Sequence, residues 1–257
     1  MASYLEQKFG LRGKVALVTG SSQGLGQGMA RALAQAGADV IVNGRVASKL
    51  APVVKEIEAF GGKATAIAAD LGNRADVQRL IEQAIAWQGH LDILVNNAGT
   101  IKRAPSADYT DADWDLVLNV NLNGVFTAAR AAGKHMVARG SGKIINIASL
   151  LTFFGGFTVP AYAASKGGVG QLTKALSNEW SSKGVQVNAI APGYMRTENT
   201  AALQADPVRS KEILSRIPAS RWGEPSDLEG AVVFLASSAS DYLSGHVMAV
   251  DGGWCGR

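Results

Sequence analysis

The sequence predicts an α/β fold in which a doubly wound, seven-stranded parallel sheet carries helices on both faces. Nearly continuous apolar runs of four to six residues recur along the chain, and such runs are typical of buried parallel strands. Between them, apolar residues recur at three- and four-residue spacing, as at Met29, Leu33 and Ala36, which indicates helices. Repeated alternation of strand and helix, joined by right-handed crossovers, gives a doubly wound sheet.

Each predicted element has a defined place in the chain. The seven strands are expected at 15–19, 40–43, 65–68, 93–96, 143–148, 185–190 and 247–250. Several intervening helices end at a glycine placed for a left-handed C-cap, namely Gly37, Gly61, Gly89, Gly140 and Gly184. A closed eight-stranded barrel is the alternative, but such barrels usually bind phosphate after their last strands. The glycine-rich turn of this chain follows the first strand.

Composition predicts one globular domain over residues 9–257, preceded by an N-terminal extension at 1–8. The chain has 257 residues, of which 47% are hydrophobic and 18% charged, so it is long enough to bury a large core. Its single cysteine, Cys255, excludes a disulfide framework. Because the three histidines are widely separated, we expect no metal site.

The charge pattern bears on partners and location. The net charge is +4, but basic residues are interleaved with acidic ones, so neither a nucleic acid nor a membrane is an expected partner. The N-terminus is polar, and no run of 18 apolar residues occurs, as a signal peptide or a membrane span would require. We therefore expect a cytoplasmic protein.

A glycine-rich turn, TGSSQGLG, connects the first strand to the first long helix. Glycines let the backbone approach a pyrophosphate closely, and the free amides of the helix N-terminus face that anion. The turn predicts a Rossmann-type dinucleotide site with contacts from Gly20, Ser22, Gly24, Leu25 and Gly26. A tight turn without a ligand is the alternative, against which the strand–turn–helix context argues.

Further polar motifs follow in an order that places them near the same edge of the sheet. NNAG at 96–99 ends the fourth strand, Ser149 the fifth, and Pro192-Gly193 the sixth. Tyr162 and Lys166 share one predicted helix. A Tyr and a Lys four residues apart are common by chance, but the carboxyl ends of parallel strands form one ligand-binding edge. The order therefore predicts a single site.

In this combination the motifs resemble the short-chain dehydrogenase/reductase family of the classical type, and the resemblance covers nearly the whole chain. It implies a homotetrameric, NAD(P)-dependent enzyme that interconverts a secondary alcohol and a ketone. Its catalytic four would be Asn121, Ser149, Tyr162 and Lys166. Further cofactor contacts would come from Asp70, Leu71, Asn97, Ala98, Gly99, Tyr162, Lys166, Pro192, Gly193 and Thr197.

Hydride transfer at a carbinol carbon needs a proton acceptor that touches the attached oxygen. A free phenol has a pKa near 10, which a Lys ammonium and a positive nicotinamide ring would lower. Tyr162 is therefore expected to be the general acid/base, with its pKa tuned by Lys166, and Ser149 to donate to the developing oxyanion. Asn121 resembles the family asparagine that anchors a water chain to the lysine; the alternative is a helix-interior Asn bonded to backbone.

The second strand ends at Gly44, followed by Arg45. An acid at this place would accept bonds from both ribose hydroxyls and repel a 2′-phosphate. Since an arginine without a neighbouring acid can bind the phosphate, NADP(H) is favoured over NAD(H). A solvated Arg45, which would leave NAD possible, is the alternative.

Within the family, the second half of the chain is most similar to the gluconate 5-dehydrogenase and 2-dehydro-3-deoxy-D-gluconate 5-dehydrogenase (2-deoxygluconate 3-dehydrogenase) group. This similarity implies a sugar or sugar-acid substrate, and Lys102, Arg103 and Arg196 are candidates for binding its carboxylate. At Phe157-Thr158, where that group is expected to carry a basic residue, the sequence departs from it. A neutral sugar therefore stays open.

Three other functions are weighed against this one. Phe153-Phe154 could wall a hydrophobic ketone, and the basic excess could hold the acidic carrier protein of a 3-oxoacyl thioester reductase. A nucleotide-binding redox sensor would not need Tyr162 and Lys166.

The long polar stretch at about 195–221 predicts a mobile substrate lid, with a fixed pair of helices as its alternative.

Overall fold

The computed structural model describes residues 3–256, and its centre is the predicted parallel sheet of seven strands. These are β1 (Val15–Val18), β2 (Asp39–Gly44), β3 (Ala64–Ala68), β4 (Ile93–Asn96), β5 (Gly142–Ile147), β6 (Val185–Pro192) and β7 (Val247–Val250). All pairs are parallel, in the order β3-β2-β1-β4-β5-β6-β7. The chain runs outward from β1 in one direction and then returns to continue from β4 in the other, so the doubly wound fold is confirmed.

Ten α-helices accompany the sheet within residues 3–256. They are α1 (Tyr4–Phe9), α2 (Gly24–Gln35), α3 (Ala51–Ala59), α4 (Arg74–Gln88), α5 (Asp111–Leu118), α6 (Gly124–Arg139), α7 (Pro160–Trp180), α8 (Ala201–Ala205), α9 (Pro207–Arg216) and α10 (Glu229–Ala236). Side chains of α2, α3 and α10 pack on one face of the sheet, and those of α4, α6 and α7 on the other. In β1, Val18 belongs to the first core and Leu17 to the second, because successive side chains of a strand point to opposite faces.

The glycines predicted to end helices adopt the left-handed backbone that this role requires. Gly37, Gly61, Gly89, Gly140 and Gly184 have φ between 69° and 104°, a region in which side chains with a Cβ are strained. Gly184 is further restricted because a Cβ on it would overlap the backbone oxygen of Gly140. These turns deliver the chain from each helix to the next strand.

The chain start forms the short helix α1, which is capped by a reciprocal pair between Ser3 and Glu6 and has no buried residues. The Ser238 hydroxyl donates to the carbonyl oxygens of Gln7 and Lys8 and so attaches this helix to the domain. Of the predicted extension at 1–8, residues 1 and 2 lie outside the described residues. In residues 3–256, no helix is both long and apolar enough to cross a membrane.

The segment predicted as a lid, 195–221, is helical. After a short turn it forms α8 and α9, and Met195 forms an isolated parallel bridge with Gly223. Ile213 and Ile217 are buried against Trp254 in a small core of their own. The segment is therefore a packed helical unit beside the sheet edge, and its movement stays a prediction.

Candidate active site

One cavity of about 580 Å³ lies at the carboxyl edge of the sheet. All of the predicted cofactor-binding residues line it, as do the catalytic candidates Ser149, Tyr162 and Lys166. Asn121 and the substrate candidates Lys102, Arg103 and Arg196 are not part of its lining. Leu116 of α5 and Glu198 before α8 also line it. The sequence reasoning missed both, because neither carries a motif and only the packing of their helices brings them to this edge.

The glycine-rich turn has the geometry of an anion cradle. Gly20 and Gly24 have φ of 63° and 58°, and a Cβ on Gly26 would overlap the Gly20 carbonyl oxygen. Asn97 donates its side-chain amide to the oxygens of Thr19 (2.9 Å) and Gly20 (3.0 Å) and so holds the turn. Since Gln23 at the N-cap of α2 makes no side-chain cap, the first amides of α2 can bind a pyrophosphate. The turn therefore fits a dinucleotide.

At the end of β2, Gly44 lies next to Ser22 in the lining of the cavity. A Cβ on Gly44 would lie 3.6 Å from the Ser22 hydroxyl and 3.2 Å from a methyl of Leu50. Arg45 is exposed and also lines the cavity. Within residues 3–256, Arg45 has no ion-pair partner. Its guanidinium is therefore available to a ligand.

Asn121 lies in a π-helical turn, Asn119–Asn123, between α5 and α6. Its buried amide accepts from the backbone N–H of Thr100 at 2.8 Å, and donates to the Thr100 carbonyl at 2.9 Å and to Ser165 at 3.2 Å. Such turns interrupt the helix ladder and are frequent at functional sites. The Asn121 side chain therefore bonds the backbone of the loop after β4, not the backbone of its own helix.

The remaining catalytic candidates come together from two elements. Ser149 follows β5, and its side chain accepts from the Leu151 backbone N–H at 3.1 Å. Tyr162 and Lys166 lie one turn apart at the start of α7, which Pro160 opens. The Lys166 ammonium is 5.6 Å from the centre of the Tyr162 ring and donates to the Ile147 carbonyl at 2.6 Å. A hydroxyl, a phenol and an ammonium thus border the same cavity.

Burial and neighbouring groups act on the pKa values of Tyr162 and Lys166. Burial raises the pKa of Tyr162, while a hydrogen bond from Ser149 and the charge of Arg103 lower it. Burial also lowers the pKa of Lys166 to about 8. The Lys166 ammonium donates to the Ile147 carbonyl, so its tuning of the Tyr162 pKa stays a prediction. Among the groups of this chain, Ser149 and Arg103 favour the phenolate.

The three residues predicted to bind an anion differ in whether an acidic side chain already pairs with them. Lys102 pairs with Asp113 at 3.2 Å, and Arg196 pairs with Glu224 at 2.8 Å. Arg103 is exposed, and no ion pair involves it in the described chain. Its charge lowers the pKa of Tyr162. Of the three cations, Arg103 is therefore the strongest candidate for a role beside the reacting groups.

Phe153 and Phe154, which the alternative of a hydrophobic ketone would place at the site, do not line the cavity. Phe153, Phe154 and Phe157 are 51%, 39% and 86% exposed. They lie on the surface of the loop between Ser149 and Tyr162, so this cavity has no aromatic wall from that loop.

The sequence profile of the short chain dehydrogenase family matches residues 14–208. The chain is 55% identical over 252 residues to a 2-dehydro-3-deoxy-D-gluconate 5-dehydrogenase of Pseudoalteromonas atlantica, covering 98% of this chain and 99% of that one. An Escherichia coli protein of the same name is 52% identical over 250 residues, covering 97% and 98%. A gluconate 5-dehydrogenase of Burkholderia cenocepacia, solved with NADP and tartrate, is 42% identical with a TM-score of 0.95, covering 99% of this chain and all of that one.

The family match spans the elements that build the cavity, from β1 to α8. The relatives cover 98% of the chain or nearly so, and the structural match covers 99% of it. Together with the cradle and the cluster of Ser149, Tyr162 and Lys166, these matches establish that the chain belongs to the short chain dehydrogenase family and is an NAD(P)-dependent oxidoreductase acting on CH–OH groups.

Proposed function

We propose that this protein interconverts a secondary alcohol of a sugar acid and the corresponding ketone, with NADP(H) as its preferred cofactor. The observation that carries the proposal is the placement of Ser149, Tyr162 and Lys166 on one cavity that ends in the dinucleotide cradle. The sugar acid is supported by the names of relatives that are 55% and 52% identical over almost the whole chain. The cofactor preference is supported by Arg45, which follows Gly44 and has no ion-pair partner within residues 3–256.

The nicotinamide, when bound, supplies or accepts the hydride. In alcohol oxidation, the Tyr162 phenolate accepts the hydroxyl proton, and in ketone reduction the phenol returns it. Ser149 donates to the substrate oxygen and stabilises its developing charge. As the family resemblance implies, Lys166 would donate to a ribose hydroxyl of the bound cofactor, and Thr197 would bind its carboxamide. Asn121 holds the loop at Thr100 and the helix at Ser165.

The test of this function is a panel of sugar acids, polyols and 3-oxoacyl thioesters, each assayed with both cofactors by the absorbance of reduced nicotinamide. We expect the highest kcat/KM with a keto-gluconate or gluconate-type substrate. Preferred turnover of a thioester or of an apolar ketone would replace the sugar acid with the corresponding alternative. Cofactor binding without turnover of any substrate would favour a redox sensor.

The same panel identifies the anion-binding residue. We expect Arg103→Gln to raise KM for an acidic substrate about tenfold or more, because a charge-assisted hydrogen bond contributes about 1.5–3 kcal/mol. KM for neutral polyols should stay unchanged, since the lost interaction is with the carboxylate. Lys102→Gln and Arg196→Gln are the comparison variants, because Asp113 and Glu224 already pair with these cations. Unchanged KM in all three variants would contradict carboxylate recognition by these residues.

We also propose that the segment 195–221 is a substrate lid. Thr197, Glu198 and Thr200 line the cavity, and Glu198 accepts from the Gln23 side chain at 2.5 Å across the mouth of the cradle. A ligand in the cradle would therefore meet this segment. We expect NADP(H) plus substrate to slow both protease cleavage and amide exchange in α8 and α9 several-fold. Equal rates with and without ligands would favour the fixed pair of helices that the packing of Ile213 also allows.

The homotetramer implied by the family resemblance and the cytoplasmic location stay proposals. The large apolar side chains of Trp114 on α5 and Phe126 on α6 are each 39% exposed. A contact between subunits would cover such side chains. Light scattering measures the first property and cell fractionation the second.

A further inference from the structure

Thr152 joins two catalytic residues that lie on different elements. It ends the short turn Leu150–Thr152 after Ser149. Its hydroxyl accepts from the backbone N–H of Ser149 at 3.3 Å and donates to the backbone carbonyl of Lys166 at 2.9 Å. One side-chain oxygen therefore bridges the end of β5 and the second turn of α7.

The packing around Thr152 makes this bridge specific. Gly170 lies one helical turn after Lys166 on the same face of α7. A Cβ on Gly170 would overlap the methyl carbon of Thr152. The threonine methyl therefore occupies space that the helix leaves open at this glycine, and its hydroxyl is held at the Lys166 carbonyl.

The bridge matters because Ser149 and Tyr162 must reach the same substrate oxygen from separate elements. Small displacements of positioned groups cost large factors in rate. Ser149 is held on its other side by the bond between its hydroxyl and the Leu151 N–H. Without the Thr152 hydroxyl, its bond to the Lys166 carbonyl, which joins this turn to α7, and its bond from the Ser149 N–H, which braces the turn, would both be lost.

We propose that Thr152 is a positioning residue that fixes Ser149 relative to the Tyr162–Lys166 turn of α7, and so sets the geometry of the reaction. This inference rests on the proposed roles of Ser149, Tyr162 and Lys166. It adds to them a residue that is not part of the cavity lining, and whose side-chain hydrogen bonds within residues 3–256 are to backbone.

The first test is Thr152→Val, which keeps the shape of the side chain and removes its hydroxyl. We expect kcat to fall about tenfold, while the Kd for NADP(H), measured by fluorescence, stays within twofold. Thr152→Ser, which restores the hydroxyl, should recover most of kcat. The control is Thr127→Val, since Thr127 is also a buried threonine, but its hydroxyl donates to the Asn123 carbonyl four residues earlier in its own segment.

The pH profile separates positioning from general destabilisation. The hydrogen bond from Ser149 lowers the pKa of Tyr162, so a displaced Ser149 should move the rising limb of alcohol oxidation to higher pH. Arg103 and Lys166, the charged groups that face Tyr162 from the loop after β4 and from α7, are unchanged in the variant. We expect the shift in Thr152→Val and not in Thr127→Val. A wild-type kcat and profile in Thr152→Val would overturn the proposal.

If Thr152→Val does not fold, a second pair of variants tests the positioning role of Thr152. Gly170→Ala should lower kcat because its Cβ displaces the Thr152 methyl, and Thr152→Ser in the same chain should restore kcat because that methyl is gone. Failure of this rescue would overturn the proposal. Tyr162→Phe, measured alongside, tests the proposed function separately: if it is inactive while the Thr152 variants behave as wild type, only the role of Thr152 is lost.

Discussion

Replacement of Tyr162 by Phe is expected to lower kcat by about 10²- to 10⁴-fold, the usual contribution of a general acid/base. The substitution removes the hydroxyl that exchanges the proton and keeps the ring. We therefore expect the Kd for NADP(H) and the thermal unfolding midpoint to stay close to those of the wild type. Steady-state kinetics, fluorescence titration and calorimetry measure the three quantities. More than half of the wild-type kcat in this variant would contradict the mechanism.

The pH dependence gives a check on the same residue. Alcohol oxidation needs the phenolate, so in the wild type kcat should rise with pH as Tyr162 ionises. Burial raises the pKa of Tyr162, which moves this limb toward alkaline pH. The pKa of Lys166 is about 8, so its ammonium also loses its proton in the alkaline range. The residual activity of Tyr162→Phe should lack the rising limb, whereas Arg103→Gln should move it to higher pH.

The second large effect is expected at the end of β2, where Arg45→Ala should weaken NADP(H) binding about 10- to 100-fold. Loss of a charge-assisted bond to the 2′-phosphate costs about 1.5–3 kcal/mol, and 1.4 kcal/mol corresponds to a factor of ten. NAD(H) has no such phosphate, so its affinity should change less than twofold. Titration of both cofactors against both proteins measures the difference.

Gly44→Asp should reverse the cofactor preference, and Gly44→Ala is its matched control. A carboxylate at this place accepts bonds from ribose hydroxyls and repels a 2′-phosphate. The new Cβ lies 3.2 Å from a Leu50 methyl, so both variants share a small steric cost, and only the aspartate adds charge. Equal losses for both cofactors, or a wild type that does not use NADP(H), would contradict the role assigned to Gly44 and Arg45.

The sequence determined the strands and the cradle of this protein because their signals are local. A strand buried on both faces must be apolar along its length, which places β1 and β4 within a residue of their predicted bounds. A helix that ends in a left-handed turn needs a glycine, as at Gly89. Backbone that approaches a pyrophosphate needs glycines at set intervals. Each signal depends on neighbours a few residues away.

Only the tertiary structure decided which hydrogen-bond and ion-pair partners the individual side chains have. Lys102 and Arg196 look in the sequence like free cations of the site, but the fold places Asp113 and Glu224 beside them. The π-helical turn directs Asn121 to Thr100, and Thr152 bridges Ser149 to Lys166. Such contacts depend on how strands and helices distant in sequence rotate and pack against one another, which residue types and their spacing along the chain do not specify.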